Sequence, residues 1–274
     1  MTAPESPRSG LQFSAVDESG AVAMHARYLE RLARQLAENR EQSLGSLDLR
    51  HGVSFLDAGC GLGELAIDVA GRVAPGRVVG IDVSVELIAR AVAAAEAADV
   101  GVEFLTGSVT ALPFADESFD VVRSERVFQH LTADERSTAA TEVMRVLRPG
   151  GRVQLVDPDH GQWSVAATDR RLARMVTEWV SNHVRTPAAG ILNATLLHDA
   201  GAVDIAIEAA AFSIRSYDDW VQLLGLEGMT DQQVAGGLAT ETEVEAFVGD
   251  LRAREASGTF IATVVTYIVT GHRP

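Results

Sequence analysis

Asp57, Gly59, Gly61, Gly63 and Asp82 are the residues whose types and spacing first point to chemistry. The apolar run Val53-Ser54-Phe55-Leu56 ends in the carboxylate of Asp57, and three glycines then stand at alternate positions before the apolar-periodic Leu65-Ala66-Ile67-Asp68-Val69-Ala70. That order reads as strand, tight turn and helix. Glycine lets the backbone bend sharply and approach a ligand closely, and the helix start beyond it presents free N–H groups. Close strand–helix packing would account for the glycines alone. A second strand, Gly76-Arg77-Val78-Val79-Gly80-Ile81-Asp82, adds the ligand: it ends in an acid 19 residues past Gly63, where a carboxylate can take both hydroxyls of a ribose. The dinucleotide fingerprint is not met, because it wants a third glycine where Glu64 stands and Gly-x-Gly-x-Gly is a different spacing. Little here would hold a pyrophosphate.

The elements that must position these residues follow from the hydropathy pattern. Ser84 is a good helix cap, and Leu87, Ile88, Ala91, Val92 and Ala95 give the next helix a buried stripe. Val102–Gly107, Phe119–Val122, Arg152–Val156, Val203–Glu208 and Thr259–Val269 read as further strands. Thr132 with Glu135 is a capping-box pattern, which leaves Arg123–Leu131 as a segment facing the site; within it, Glu125 and Arg126 would form an exposed pair worth about 0–1 kcal/mol. Asp157, Asp159 and His160 stand close enough to invite a divalent metal, but Pro158 and Gly161 make a turn sufficient, and we expect no metal. The whole chain, 1–274, reads as one domain: a loose polar start over 1–20, a helical cap over 21–47, a core of 48–215 and 258–274, and a helical insert over 216–257 that is either a lid or a cover for the sheet.

Composition bounds the function. The 274 residues are 47% hydrophobic, enough to bury a large α/β core. Net charge is −15 and all 23 basic residues are Arg, so nucleic acid is not expected as a partner, and a Walker A loop or a Lys Schiff base is excluded. A single Cys allows no internal disulfide, and no apolar stretch reaches membrane-spanning length, so the expectation is a cytoplasmic protein with no membrane partner. Assembly into a homo-oligomer is compatible with everything above.

Four stretches in order then resemble the class I S-adenosylmethionine-dependent methyltransferases. Leu56-Asp57-Ala58-Gly59-Cys60-Gly61-Leu62-Gly63 is similar to their first motif and Gly80-Ile81-Asp82-Val83-Ser84 to the acidic loop that takes the ribose. Leu112–Val122 and Leu147-Arg148-Pro149-Gly150-Gly151 are similar to later signatures of the small-molecule branch, and the likeness covers about 40–208. The resemblance implies a Rossmann-like seven-stranded sheet, mostly parallel with an antiparallel seventh strand, and S-adenosyl-L-methionine as cofactor. It places Gly59, Gly61, Asp82 and Val83 against that cofactor, with Asp57 reaching its methionyl amino group through water. Ser108 stands where the family usually has an adenine-binding Asp, so its hydroxyl and the Val109 N–H take that place, or Ser108 is a turn residue only. Ser124 is expected beside the methionyl part. Tyr28, in a region that covers the cofactor in the family, is a contact or a plain packing residue.

The resemblance also implies the reaction: methyl transfer to oxygen or nitrogen, and then carbon, of a small hydrophobic or aromatic metabolite. Residues of 21–44, Trp163–Trp179 and 217–256 would wall the acceptor. A hydroxyl acceptor has to lose a proton, and His130 is the candidate base because it follows the fourth strand at the ligand edge, with Asp157 to orient it and His160 in reserve. Alternatively His130 only caps or packs at the entry to the Thr132 helix. Two other classes stay open: the same fold turned to cyclisation, and a relative that modifies macromolecules or is purely structural.

Overall fold

The computed structural model describes residues 30, 40–41, 43–224, 226 and 229–274. Buried Phe55-Leu56-Asp57-Ala58 forms β1, and Val78-Val79-Gly80-Ile81 of the next strand is equally apolar, as expected of parallel strands covered on both faces. The strands are β1 (Phe55–Ala58), β2 (Val78–Asp82), β3 (Glu103–Thr106), β4 (Phe119–Glu125), β5 (Leu147–Val165), β6 (Val203–Ile214) and β7 (Ala262–His272). They make a seven-stranded sheet in the order β3-β2-β1-β4-β5-β7-β6, parallel from β3 to β5, with β7 antiparallel to both its neighbours. The order reverses at β1, so the carboxyl ends of β1 and β4 open a crevice there.

Helices α1 (Glu64–Val73), α2 (Val85–Ala98), α3 (Ala133–Val146), α4 (Arg170–His183), α5 (Ala189–Asp199), α6 (Tyr217–Leu224), α7 (Met229–Ala235) and α8 (Glu241–Ala256) complete the described fold. The predicted caps are present. Ser84 Oγ accepts from Leu87 N at 3.1 Å, and Thr132 and Glu135 form a reciprocal capping box. Of the segment 21–47, the described part is helical and ends in a 3-10 turn, Gly45–Leu47; Leu44 and Leu47 pack on Phe55 of β1.

Three expectations are corrected by tertiary contacts. β4 does not stop at Val122 but runs to Glu125, with Arg123 fully buried inside the sheet, where its guanidinium donates to Gln154 Oε1, Ser43 Oγ and Glu125 Oε2. Glu125 pairs with Arg123 at 2.9 Å and with Arg40 at 3.3 Å, and is part of a buried cluster rather than an exposed pair with Arg126. β5 does not end at Val156 but continues to Val165, its pairing with β7 broken only between Asp159 and Ser164, where Asp159 Oδ1 accepts from Gly161 N at 2.9 Å. Its pairing with β4 ends at Val156, so one edge beyond that point needs no N–H, and Pro158 is tolerated opposite Thr266 of β7.

The wall expected around the acceptor is also different. Trp163, Trp179, Trp220, Phe247 and Phe260 form an apolar core between the far halves of β5, β6 and β7 and helices α4, α6, α7 and α8. Among the described residues, the insert and Trp163–Trp179 contribute nothing to the cavity lining.

Candidate active site

A cavity of about 300 Å³ opens at the carboxyl ends of β1, β2 and β4. Its first end is made of Asp57, Gly59, Cys60, Gly61, Asp82, Val83, Leu87, Ser108 and Val109, and it continues to Arg126, Val127, Gln129, His130, Leu131 and Glu135. The glycines are there for backbone reasons. Gly59, Gly61 and Gly63 have φ of +87°, +52° and +73°, and a Cβ on Gly59 would overlap Val127 Cγ2. Asp82 supports the turn from the next strand: Oδ2 accepts from Gly61 N at 2.9 Å and Oδ1 from Ser84 N at 3.0 Å. Ser108 is in a local turn, its Oγ accepting from Thr110 N at 3.2 Å, and it lines the cavity as well.

The two carboxylates deep in the sheet are electrostatically unlike Glu125. Burial pushes Asp57 up to about 7, opposed by Arg123. Burial does the same to Asp157, to about 7, against bonds from Asn193 and Gln129. Burial would also raise Glu125, but Arg123 and Arg40 hold it at about 2. Asp157 Oδ1 accepts from Gln129 N at 3.2 Å and Oδ2 from Asn193 Nδ2 at 3.0 Å. Asn193 gets that close because α5 presses onto β5 at Gly190, where a Cβ would overlap the Asp157 carbonyl oxygen.

Most sequence-predicted site residues converge on this cavity, and some do not. Asp57, Gly59, Gly61, Asp82, Val83, Ser108, Val109 and His130 line it. Ser124 does not: it is fully buried and its hydroxyl donates to Ala58 O at 2.7 Å, tying β4 to β1 beneath the site. Asp157 is not bonded to His130. His130 Nε2 lies 3.0 Å from Gln129 Nε2. His160 is 3% exposed and joins the same network. Tyr28 lies outside the described residues. Among the described residues no cluster of acids, His or Cys could hold a metal.

Comparison with known proteins decides the family. A family model described as a methyltransferase domain matches residues 55–151. Nocamycin O-methyltransferase of Saccharothrix syringae is 33% identical over 258 residues, 83% of this chain and 88% of that protein. An uncharacterized 37.1 kDa protein in a transposon of Streptomyces fradiae is 34% identical over 253 residues, 91% of this chain and 71% of that one. The chain is a class I S-adenosylmethionine-dependent methyltransferase. Its fold is shared with the YcgJ protein of Bacillus subtilis, with a TM-score of 0.59 and 22% identity over 85% of this chain and 98% of that one.

The methyltransferase's own residues fit S-adenosylmethionine. A backbone bared by the positive-φ glycines Gly59 and Gly61 faces the cavity, the Asp82 carboxylate lines it from the end of β2, where it could meet ribose hydroxyls, and Val83, Leu87 and Val109 offer apolar walls for a base. Acids outnumber bases on the described lining, with Asp57, Glu64, Asp82, Glu125 and Glu135 against Arg40 and Arg126, which suits a ligand that carries a sulfonium and an ammonium. Four residues were missed by sequence reasoning: Arg40, Glu125 as a buried anchor, Gln129 and Asn193. Nothing local distinguishes a Gln or Asn that bonds across the fold from one facing solvent; for Gln129 the sole signal was its place in the segment after β4.

Proposed function

We propose that this small-molecule methyltransferase acts on an oxygen of a largely apolar metabolite, which enters at the His130 end of the cavity. The observation that carries the proposal is the continuity of one cavity from Asp82 and Val109 to Gln129, His130 and Leu131. Bound S-adenosylmethionine supplies an electrophilic methyl group, and in-line displacement by the acceptor needs chiefly alignment and the exclusion of water. Asp82 holds the ribose end, Asp57 faces the ammonium, and Leu131 and Val127 give the acceptor an apolar surface. Oxygen is favoured over nitrogen by the likeness to Nocamycin O-methyltransferase, which extends over nearly that whole protein. The net charge of −15 opposes a nucleic-acid acceptor.

The test is incubation of the protein and S-adenosylmethionine with oxygen acceptors of natural-product type. Release of S-adenosylhomocysteine together with a methylated product supports the reading. An isomerised product without S-adenosylhomocysteine would replace it with cyclisation.

A further inference from the structure

We propose that Asn193 is a positioning residue for the methyl acceptor: its amide links Arg136 to the Asp157 carboxylate, and that carboxylate, through the Gln129 N–H, fixes the turn that walls the acceptor end of the cavity. The inference rests on the reading that the acceptor enters at the His130 end.

The turn needs an anchor from outside itself. Phe128–His130 is a single 3-10 turn, and its own backbone bonds run from His130 N to Val127 O at 2.9 Å and from Leu131 N to Phe128 O at 3.3 Å. The Gln129 N–H stands too early in the turn to find an acceptor within it. It donates instead to Asp157 Oδ1, on β5, at 3.2 Å. The carbonyl side is held by the segment that leads into α5: Thr186 N donates to Gln129 O at 2.9 Å, and Thr186 Oγ1 to Leu131 O at 2.7 Å. Gln129, His130 and Leu131 line the cavity, whereas Asp157, Arg136 and Asn193 stand behind that lining. Whatever these three do for an acceptor, they do through the turn.

The Asn193 amide is oriented from its far end. Arg136 of α3, 6% exposed, can only donate, and its Nη2 donates to Asn193 Oδ1 at 3.0 Å. That leaves Nδ2 towards Asp157, and it donates to Asp157 Oδ2 at 3.0 Å. Asn193 is fully buried, so a turned amide would set two acceptors together and two donors together inside the fold. Both Asp157 oxygens therefore accept from groups that cannot accept in return, and each such bond favours the ionised carboxyl.

Burial opposes these bonds and raises Asp157 to about 7. The charges that act on it are Arg126, from the end of β4, and Arg136. His160, on β5 itself, is kept well below the usual histidine range by burial, and His130 belongs to the turn. α5 meets Asp157 with Asn193, and β7 sets Tyr267 opposite it. The carboxylate that grips the turn is thus close to balance, and the Asn193 bond tips it towards the ionised form that accepts more strongly from Gln129.

The experiment follows the Gln129 amide of the 15N-labelled full chain by NMR as pH is varied. Its proton is expected to move downfield with rising pH about a midpoint near 7, and to lose that titration in Asp157→Asn. In Asn193→Leu, which removes the donor, the midpoint is expected to rise by about one pH unit, a tenfold change in the proton equilibrium. Arg136→Gln, which keeps a donor but loses the charge, should raise it as well and decides the matter if the Leu variant does not fold. A Gln129 amide that does not titrate in the wild type, or a midpoint that neither variant moves, would overturn the proposal. For the acceptor end the probe is 2-naphthol, an apolar hydroxyl compound, with S-adenosylhomocysteine bound. It is expected to shift the Gln129 and Leu131 amides of the wild type and to bind Asn193→Leu about fivefold or more weakly, with S-adenosylhomocysteine affinity unchanged within about twofold by calorimetry. Equal naphthol affinity in the two proteins would overturn the positioning role. Naphthol shifts that miss this end of the wild-type cavity would instead defeat the reading of where the acceptor enters, while the Gln129 titration still decides the network behind the turn.

Discussion

Acid should weaken S-adenosylmethionine binding through one buried carboxylate. Asp57, at 2% exposure, has its pKa raised to about 7 by burial; Arg123 and Arg40 pull it back, while Glu125 and Asp82 push it further up. The protonated form is favoured in the ligand-free protein, whereas a cofactor ammonium nearby favours the ionised form. With a pKa of about 7, about one molecule in a hundred is ionised at pH 5 and about half at pH 7, so affinity should rise about fifty-fold over that interval, roughly 2.3 kcal/mol. The sign follows from the proton count: the complex lacks a proton that the free protein holds, so binding releases one and tightens with pH until Asp57 is fully ionised. Titration calorimetry in buffers of different ionisation enthalpy reads both the affinity and the released proton. Asp57→Asn should bind about tenfold more weakly at pH 7 and lose the share of the pH dependence that Asp57 carries. Asp157, also near 7, would keep its contribution in that variant, so the comparison isolates Asp57. A flat wild-type profile between pH 5 and 7, or an equal slope in Asp57→Asn, would refute the reasoning.

Asp82→Ala should lower cofactor affinity by more than tenfold in the same calorimetry, because it removes the proposed ribose partner, at about 1.5–3 kcal/mol per charged bond, and frees Gly61 N and Ser84 N. Glu125→Gln should destabilise the fold by about 3 kcal/mol in urea titrations, since it leaves Arg123 buried with its charge unmatched. The pKa of Glu125 in the fold, about 2, lies below its usual value, so its contribution is complete above the ordinary carboxylate range and fades as pH falls towards 2; the deficit of the Gln variant should shrink over that window. Gly59→Ala combines a φ of +87° with overlap onto Val127 and should cost on the order of 2 kcal/mol, read as a lowered melting temperature.

The sequence by itself determined the parts of this protein that rest on local rules. Alternate glycines between an apolar strand and an amphipathic helix mark a tight turn, here made at positive φ, and an acid at the end of the next parallel strand is carried to the same edge by right-handed crossover. Ser84 and Thr132 cap their helices through residues three positions away, so those ends were legible too. Tertiary structure decided what depends on distant partners. Arg123 looks like a surface residue until Gln154, Ser43 and Glu125 surround its guanidinium. Pro158 looks like a turn until the end of β4 leaves that edge of β5 without need of an N–H. The tryptophans expected around the acceptor pack into a core of their own because β5, β6 and β7 run on past the cavity and offer them a sheet to cover. Trp163, His160, Gln129 and His130 join in one chain of polar contacts although Trp163 stands 33 positions beyond His130. Spacing along a chain encodes turns and caps, but a hydrogen bond's direction is set by whichever groups the fold brings to its two ends.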